Sequence, residues 1–259
     1  MKQVVFMVAA IIGACFLIVS IIILNRKRRK FFTHPINEAD RQILESYVIF
    51  YITLKEEDKV KFEHRMLHFL ATTKITGVNI IAERLDELLI AASAIIPIFH
   101  FPEWQYINLN EVLLYPGSFD EGFKQEGHDR PIAGMVGDGP YQNIMILSQN
   151  DLRNGFINRG SMHNTGIHEF VHLVDKTDGA IDGLPESLIA QPYIIPWLKM
   201  MQHNIEMIRN DASDIDTYGA TNQAEFFAVV SEYFFEQPGL LAQNHPELYM
   251  QLRKIFRHE

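Results

Sequence analysis

The first rhythm along this chain is unbroken. Residues 4–24 (VVFMVAAIIGACFLIVSIIIL) run for 21 positions without a charge, and Ser20 is their only clearly polar side chain. At about 1.5 Å per residue, a helix of that length spans the roughly 30 Å hydrocarbon core of a bilayer, so the pattern predicts a transmembrane helix. Asn25 and then Arg26, Lys27, Arg28, Arg29 and Lys30 follow directly. Such basic flanks stay on the cytoplasmic side, which predicts an N-terminus outside and the rest of the chain inside, at the inner membrane. A cleaved signal peptide has its charges before a shorter apolar run, the reverse of this order. Cys15 follows Ile12-Gly13-Ala14, but the apolar run continues past it to Leu24, so it reads as a small apolar residue of the span.

Beyond the span the pattern changes. Residues 25–37 read as a basic juxtamembrane linker and residues 38–259 as one folded domain. Asn37 followed by Glu38 and Asp40 is a helix-start pattern for residues 37–47. In residues 56–70, Val60, Phe62, Met66, Phe69 and Leu70 recur at near-helical spacing and predict an amphipathic helix. His64 and His68 on it are expected to face solvent or a helix seam, because an i, i+4 pair alone is a weak sign of metal ligation. Residues 78–95 predict a second, more apolar helix. Residues 106–115 and 143–147 predict strands, the latter with an edge able to receive an extended peptide. Gly134, Gly137 and Gly139 predict a hairpin or loop between them. Residues 161–176, 186–209, 223–236 and 245–256 read as helices. The fold class is α+β, mostly helical with a small sheet.

Composition narrows the function. The chain has 259 residues, 47% of them hydrophobic, which suits one substantial domain with a well-buried core. Its formal charge of −9 argues against a nucleic-acid binder, which needs a basic face. A single cysteine excludes an intramolecular disulfide and a cysteine-based zinc or iron–sulfur cluster. The charge is also unevenly placed. The first 30 residues hold six of the 23 Lys+Arg and no acid, so the remainder carries 17 bases against 32 acids, or −15.

The candidate chemistry is His168-Glu169-Phe170-Val171-His172, an H-E-x-x-H string. On a helix the two histidines stack on one face, so both imidazoles can reach one metal ion, with Glu169 beside the remaining coordination position. Zinc suits imidazole nitrogen, and a catalytic zinc keeps only three protein ligands so that water can take the fourth place. The metal would acidify that water and polarise a carbonyl, and Glu169 would serve as general base. The third ligand is open on spacing. The extended string H-x-x-G-x-x-H is not met, because Asp175 and Asp178 stand at those positions, although Asp178 could bind as a carboxylate. Glu225 and Glu232 lie in a segment whose neighbours are nearly all apolar, and buried charges there need a partner such as a metal or a hydrogen-bonded histidine. The two are seven residues apart on one helix face, so one could ligate while the other orients a ligand imidazole.

The stretches HNTGIHEFVHLVDKTDGAIDGLP and TYGATNQAEFFAVVSEYFFEQP, with LLYPGSF and ILSQNDLRNG ahead of them, resemble the Mlc titration factor A family of zinc-dependent peptidases, itself distantly similar to the catalytic domain of anthrax lethal factor. The likeness runs from about Asp40 to Phe256. It implies a zincin-like domain with zinc on His168, His172 and Glu225, Glu169 as general base, and Tyr218 as donor to the oxyanion. Glu232, Asp175 and His163 are then candidates for supporting roles around the ligands. The resemblance implies hydrolysis of a peptide or protein substrate, with aminopeptidase action on short peptides. The alternative it implies is a regulatory protein that sequesters a transcriptional repressor, with a mainly structural zinc.

Overall fold

A computed structural model describes residues 34–120, 132–137 and 143–257. The span expected over residues 4–24, the basic cluster after it and the side chain of Asp178 lie outside the described residues. Among the described residues no helix is long and apolar enough to cross a membrane.

The first helix, α1 (Glu38–Tyr47), starts where the sequence places it. The Asn37 side chain accepts from the Asp40 N–H at 3.0 Å, and the Asp40 carboxylate accepts from the Asn37 N–H at 3.1 Å, a reciprocal cap that satisfies two otherwise unpaired donors. A short α2 (Ile49–Thr53) leads to α3 (Glu56–Thr72), whose first turn carries three acids, favourable at the positive end of a helix dipole. Phe62, Met66, Phe69 and Leu70 are buried as the spacing predicts, but Val60 is 64% exposed; His64 and His68 are exposed. The next helix, α4 (Arg84–Ile95), begins six residues later than the apolar pattern suggests. Asn79 sits at φ 63°, in the left-handed region, and Glu83 exchanges capping bonds with Asp86.

Four strands form the sheet: β1 (Lys74–Gly77), β2 (Glu111–Tyr115), β3 (Gly134–Val136) and β4 (Ile144–Ser148), in the order β1-β2-β4-β3. β1, β2 and β4 are parallel, and β3 runs antiparallel to β4. The two faces follow the period of two. Val112, Leu114, Met145 and Leu147 join the main core, while Tyr115, Ile146 and Phe119 form a small second cluster with Leu113, Met135 and Ile144 packed on it. Two strand expectations change. Residues 106–110 stay outside β2, where the Tyr106 hydroxyl donates to the Ala94 carbonyl at 2.8 Å. β4 has β2 on one side and β3 on the other, so the terminal strand at this end of the sheet is β3, not the segment at 143–147.

The remaining elements are helical: α5 (Gln149–Ile157), α6 (Thr165–Asp175), α7 (Gln191–Arg209), α8 (Gln223–Glu236), α9 (Pro238–Asn244) and α10 (Pro246–Arg257). Pro192 in its first turn starts α7 five residues later than expected, consistent with proline at a helix start. α8 is buried on nearly every side. Phe226, Phe227, Val230, Tyr233 and Phe234 sit in the main core, and Phe227 stacks on Phe256 of α10 with ring centroids 5.8 Å apart. α6 packs against α8, α4 and β3, which places the H-E-x-x-H helix between the sheet and the most aromatic helix of the domain.

Candidate metal centre

Two capped helices build the site. Asn164 caps α6 by accepting from the Ile167 N–H at 3.1 Å, and Asn222 caps α8 by accepting from the Glu225 N–H at 2.9 Å. These caps start both helices just ahead of their functional residues. His168 and His172 are 9% and 8% exposed, and the Glu225 side chain reaches them from α8.

Three atoms converge. His168 Nε2 lies 3.0 Å from Glu225 Oε2, His172 Nε2 lies 3.4 Å from the same oxygen, and the two Nε2 atoms are 3.1 Å apart. With metal–ligand bonds of about 2.0–2.1 Å, the edge of a tetrahedron is about 3.3 Å, so these donors are spaced as three of its corners. Among the described residues this is the one group of three or more His, Cys, Asp or Glu side chains whose ligand atoms gather in this way. Two imidazoles and a carboxylate also match the chemistry of a zinc site with one position left open. The residues therefore fit a bound metal.

Glu232 takes the other side of the same ring. Its Oε1 lies 2.7 Å from His168 Nδ1, and its Oε2 accepts from the Asn164 N–H at 2.6 Å. With the proton on Nδ1, the Nε2 lone pair faces the cluster, as ligation requires. Glu225 and Glu232 thus meet the two nitrogens of one imidazole, Glu225 at Nε2 within the cluster and Glu232 at Nδ1 on its far side.

The charges are coupled. Burial pushes the Glu225 carboxyl up, but bonds from His168 and His172 outweigh it and hold it at about 2. Burial pushes the His168 imidazole down, yet Glu232 and Glu225 outweigh it and lift it well above the ordinary value. Glu169, 6% exposed, is raised by burial against the pull of His168 and His172. The Tyr218 phenol is raised by burial and by the charges of Glu225 and Glu169, which keeps it a donor. Its ring centroid is 6.0 Å from that of His168, and the residue is 54% exposed.

Two supporting candidates act at a distance from the ligands. Asp175, fully buried, accepts from the Gly183 N–H at 2.7 Å. Gly183 sits at φ 77°, and a Cβ there would strike the Gln223 carbonyl, so this turn lies flat on the start of α8, two residues before Glu225. His163 is exposed and pairs with Asp216 at 3.4 Å, and Asp216 accepts from the Tyr218 N–H at 2.7 Å. Three contributors escape the sequence pattern. Asn164 and Glu236 are joined by a bond of 2.7 Å from Asn164 Nδ2 to Glu236 Oε1. Gly134 of β3 lies against Glu169, where a Cβ would stand 2.5 Å from Cγ and 2.7 Å from Oε1. An asparagine ahead of an apolar helical run could have pointed to Asn164, and a charge in a buried helix to Glu236; for Gly134 the sequence carries no signal of its neighbour.

Residues 23–257 match the family described as Glucose-regulated metallo-peptidase M90. The uncharacterized protein slr2042 of Synechocystis sp. is 30% identical over 253 residues, covering 90% of this chain and 88% of that protein. Mlc titration factor A of Escherichia fergusonii is 32% identical over 222 residues, covering 74% of this chain and 82% of that protein. Mlc titration factor A of Cronobacter sakazakii is 32% identical over 213 residues, covering 76% and 77%. With the match running through both α6 and α8, the chain belongs to the glucose-regulated metallo-peptidase M90 family, that of the Mlc titration factor A proteins.

Proposed function

We propose that this protein is a zinc-dependent peptidase, anchored by residues 4–24 with its catalytic domain on the cytoplasmic side. The observation that carries the reading is the convergence of His168, His172 and Glu225 beside the buried carboxylate of Glu169. His168, His172 and Glu225 would hold the ion, which when bound supplies Lewis acidity that acidifies water and polarises the scissile carbonyl. Glu169 takes the proton of the attacking water and delivers it to the leaving nitrogen, and its raised pKa brings it closer to the working range of a general base. Tyr218 donates its phenol to the oxyanion, a bond that strengthens as charge develops there. Glu232 holds His168 in the tautomer that ligation needs. The substrate backbone lies along β3, the terminal strand whose Gly134 touches Glu169. The anchor reading rests on the uncharged run at residues 4–24 and the five basic residues at 26–30.

A second reading rests on the name that the relatives carry: a regulatory protein that titrates a transcriptional repressor, with zinc in a structural role. The presence of Glu169 favours the enzyme, because a structural site needs no base at that position. Glu169→Gln separates the two. The expected outcome is a fall in peptide cleavage of about 10²–10⁴-fold with zinc content unchanged. Undiminished cleavage would overturn the mechanism. Lost cleavage with intact repressor binding and an unaltered cellular phenotype would make the binding role primary.

A further inference from the structure

The amide of Asn164 sits at the meeting point of three buried bonds. Its backbone N–H donates to Glu232 Oε2 at 2.6 Å, its Nδ2 donates to Glu236 Oε1 at 2.7 Å, and its Oδ1 accepts from the Ile167 N–H at 3.1 Å. Asn164 is fully buried, and Glu232 and Glu236 are 4% and 8% exposed. Glu232 passes the constraint on, since its second oxygen meets His168 Nδ1 at 2.7 Å. The side-chain amide has only one arrangement that satisfies both ends, with oxygen toward Ile167 and nitrogen toward Glu236. Glu236 enforces it, because a carboxylate accepts the NH2 and would repel the oxygen.

We infer that Asn164, oriented by Glu236, is a positioning residue for the metal centre: it fixes the start of α6 and the Glu232 carboxylate together, so that His168 presents Nε2 to the ion. The inference rests on the metal reading above. Glu232 alone could swing its carboxylate about its own side chain; the backbone N–H of a capped helix cannot follow. The bond to Asn164 therefore ties the direction of the His168 ring to the first turn of its own helix.

The test is zinc affinity of the full-length protein, measured with Zn2+ alone against a chromophoric chelator, beside the thermal unfolding of the metal-free form. At pH 8, where Glu236 is ionised, Asn164→Asp keeps a good helix cap but sets one carboxylate against another. Zinc affinity is expected to fall about 10–100-fold, the range for loss of an outer partner of a ligand histidine. Glu236→Gln alone retains an acceptor for Nδ2 and should bind zinc within a few-fold of the native chain. In the double variant Asn164→Asp/Glu236→Gln the new amide donates to the new carboxylate, and affinity should return. Should Asn164→Asp fail to fold, Asn164→Ser retains the cap oxygen and the backbone donor but lacks Nδ2, and a loss of about tenfold is expected. A native chain that takes up no zinc overturns the metal reading itself. Native binding together with unchanged affinity in the Asn164 variants, or a loss that Glu236→Gln does not restore, overturns this inference alone.

Discussion

Asp40, Glu63 and Asp86 in the N-terminal helices and Glu169, Glu225, Glu232 and Glu236 around α6 and α8 are all largely buried, but only the first set meets arginine. Asp40 takes two bonds from Arg84 at 3.1 and 3.0 Å, Glu63 two from Arg41 at 3.0 Å each, and Asp86 two from Arg153 at 2.7 and 3.0 Å. Each pair joins elements far apart in the sequence. In the second set no arginine or lysine bond is present among the described residues, and the partners are His168, His172 and Asn164. A fixed cation closes the charge account of the first region. The second keeps four carboxylates beside two imidazoles, an excess of acid that a divalent cation would offset. The contrast separates acids closed by arginine from acids gathered around two imidazoles, without any appeal to the motif.

The largest effect that contrast predicts lies on the fold side. Arg153→Met leaves Asp86, fully buried, with only Gln149 and the Glu83 N–H as donors. Breaking a buried pair from one side costs about 3–5 kcal/mol, and these two surviving bonds place the expected loss at the lower end. Urea unfolding should show it, while zinc uptake by the remaining folded protein stays native. A drop in zinc affinity comparable to that of a ligand substitution would show that the two regions are not separate.

On the chemical side the sign reverses. Burial lifts Glu236 from 4.5 to about 7, while the Asn164 bond opposes the rise and the charge of Glu232 adds to it. A carboxyl that binds its proton more tightly when folded contributes a stability that is complete below pH 4.5 and is lost as pH climbs to about 7. Above that the accumulated penalty is about 3 kcal/mol. Glu236→Gln has no such penalty. The metal-free variant is therefore expected to match the native chain near pH 4 and to exceed its stability by up to about 3 kcal/mol at pH 8, measured by urea unfolding across that range. A difference independent of pH would sink the account. The native protein keeps an acid at this position at the expense of stability, as functional sites commonly do.

Much of this was legible from residues in order. The cap at Asn37, the helix at α8 and the spacing of His168 and His172 are local properties, set within a turn or two of chain. The seven-residue separation of Glu225 and Glu232 did place both on one face, and both touch His168. Their division of roles was hidden, because it depends on how α6 lies across α8. The short strand β1 was missed because KITG has one strong apolar residue and is held by pairing with β2 at its side. Asp40, Glu63 and Asp86 read as ordinary helix acids, since their arginines lie 22 to 67 residues away. The loop glycine at 134 was visible, but its neighbour Glu169 belongs to another element and comes near only through the fold.

That glycine gives the smallest effect and the sharpest separation of fold from chemistry. The added methyl of Gly134→Ala would stand 2.5 Å from Glu169 Cγ, so the side chain must shift. Overpacking of this kind costs about 1–3 kcal/mol, and the flexible glutamate places the stability loss near the low end. The displaced carboxylate should lower kcat far more than the fold is weakened, with KM changing little. Glu169→Ala removes the atoms that the methyl strikes. In that background Gly134→Ala is expected to be almost neutral for stability, which gives a coupling of about 1 kcal/mol in a double-mutant cycle. Additive losses would mean that β3 and α6 meet through other contacts. Coupling confined to this pair would show that the base of the site is held in place by the bare backbone of a terminal strand, where the acids of the N-terminal helices are held by arginine.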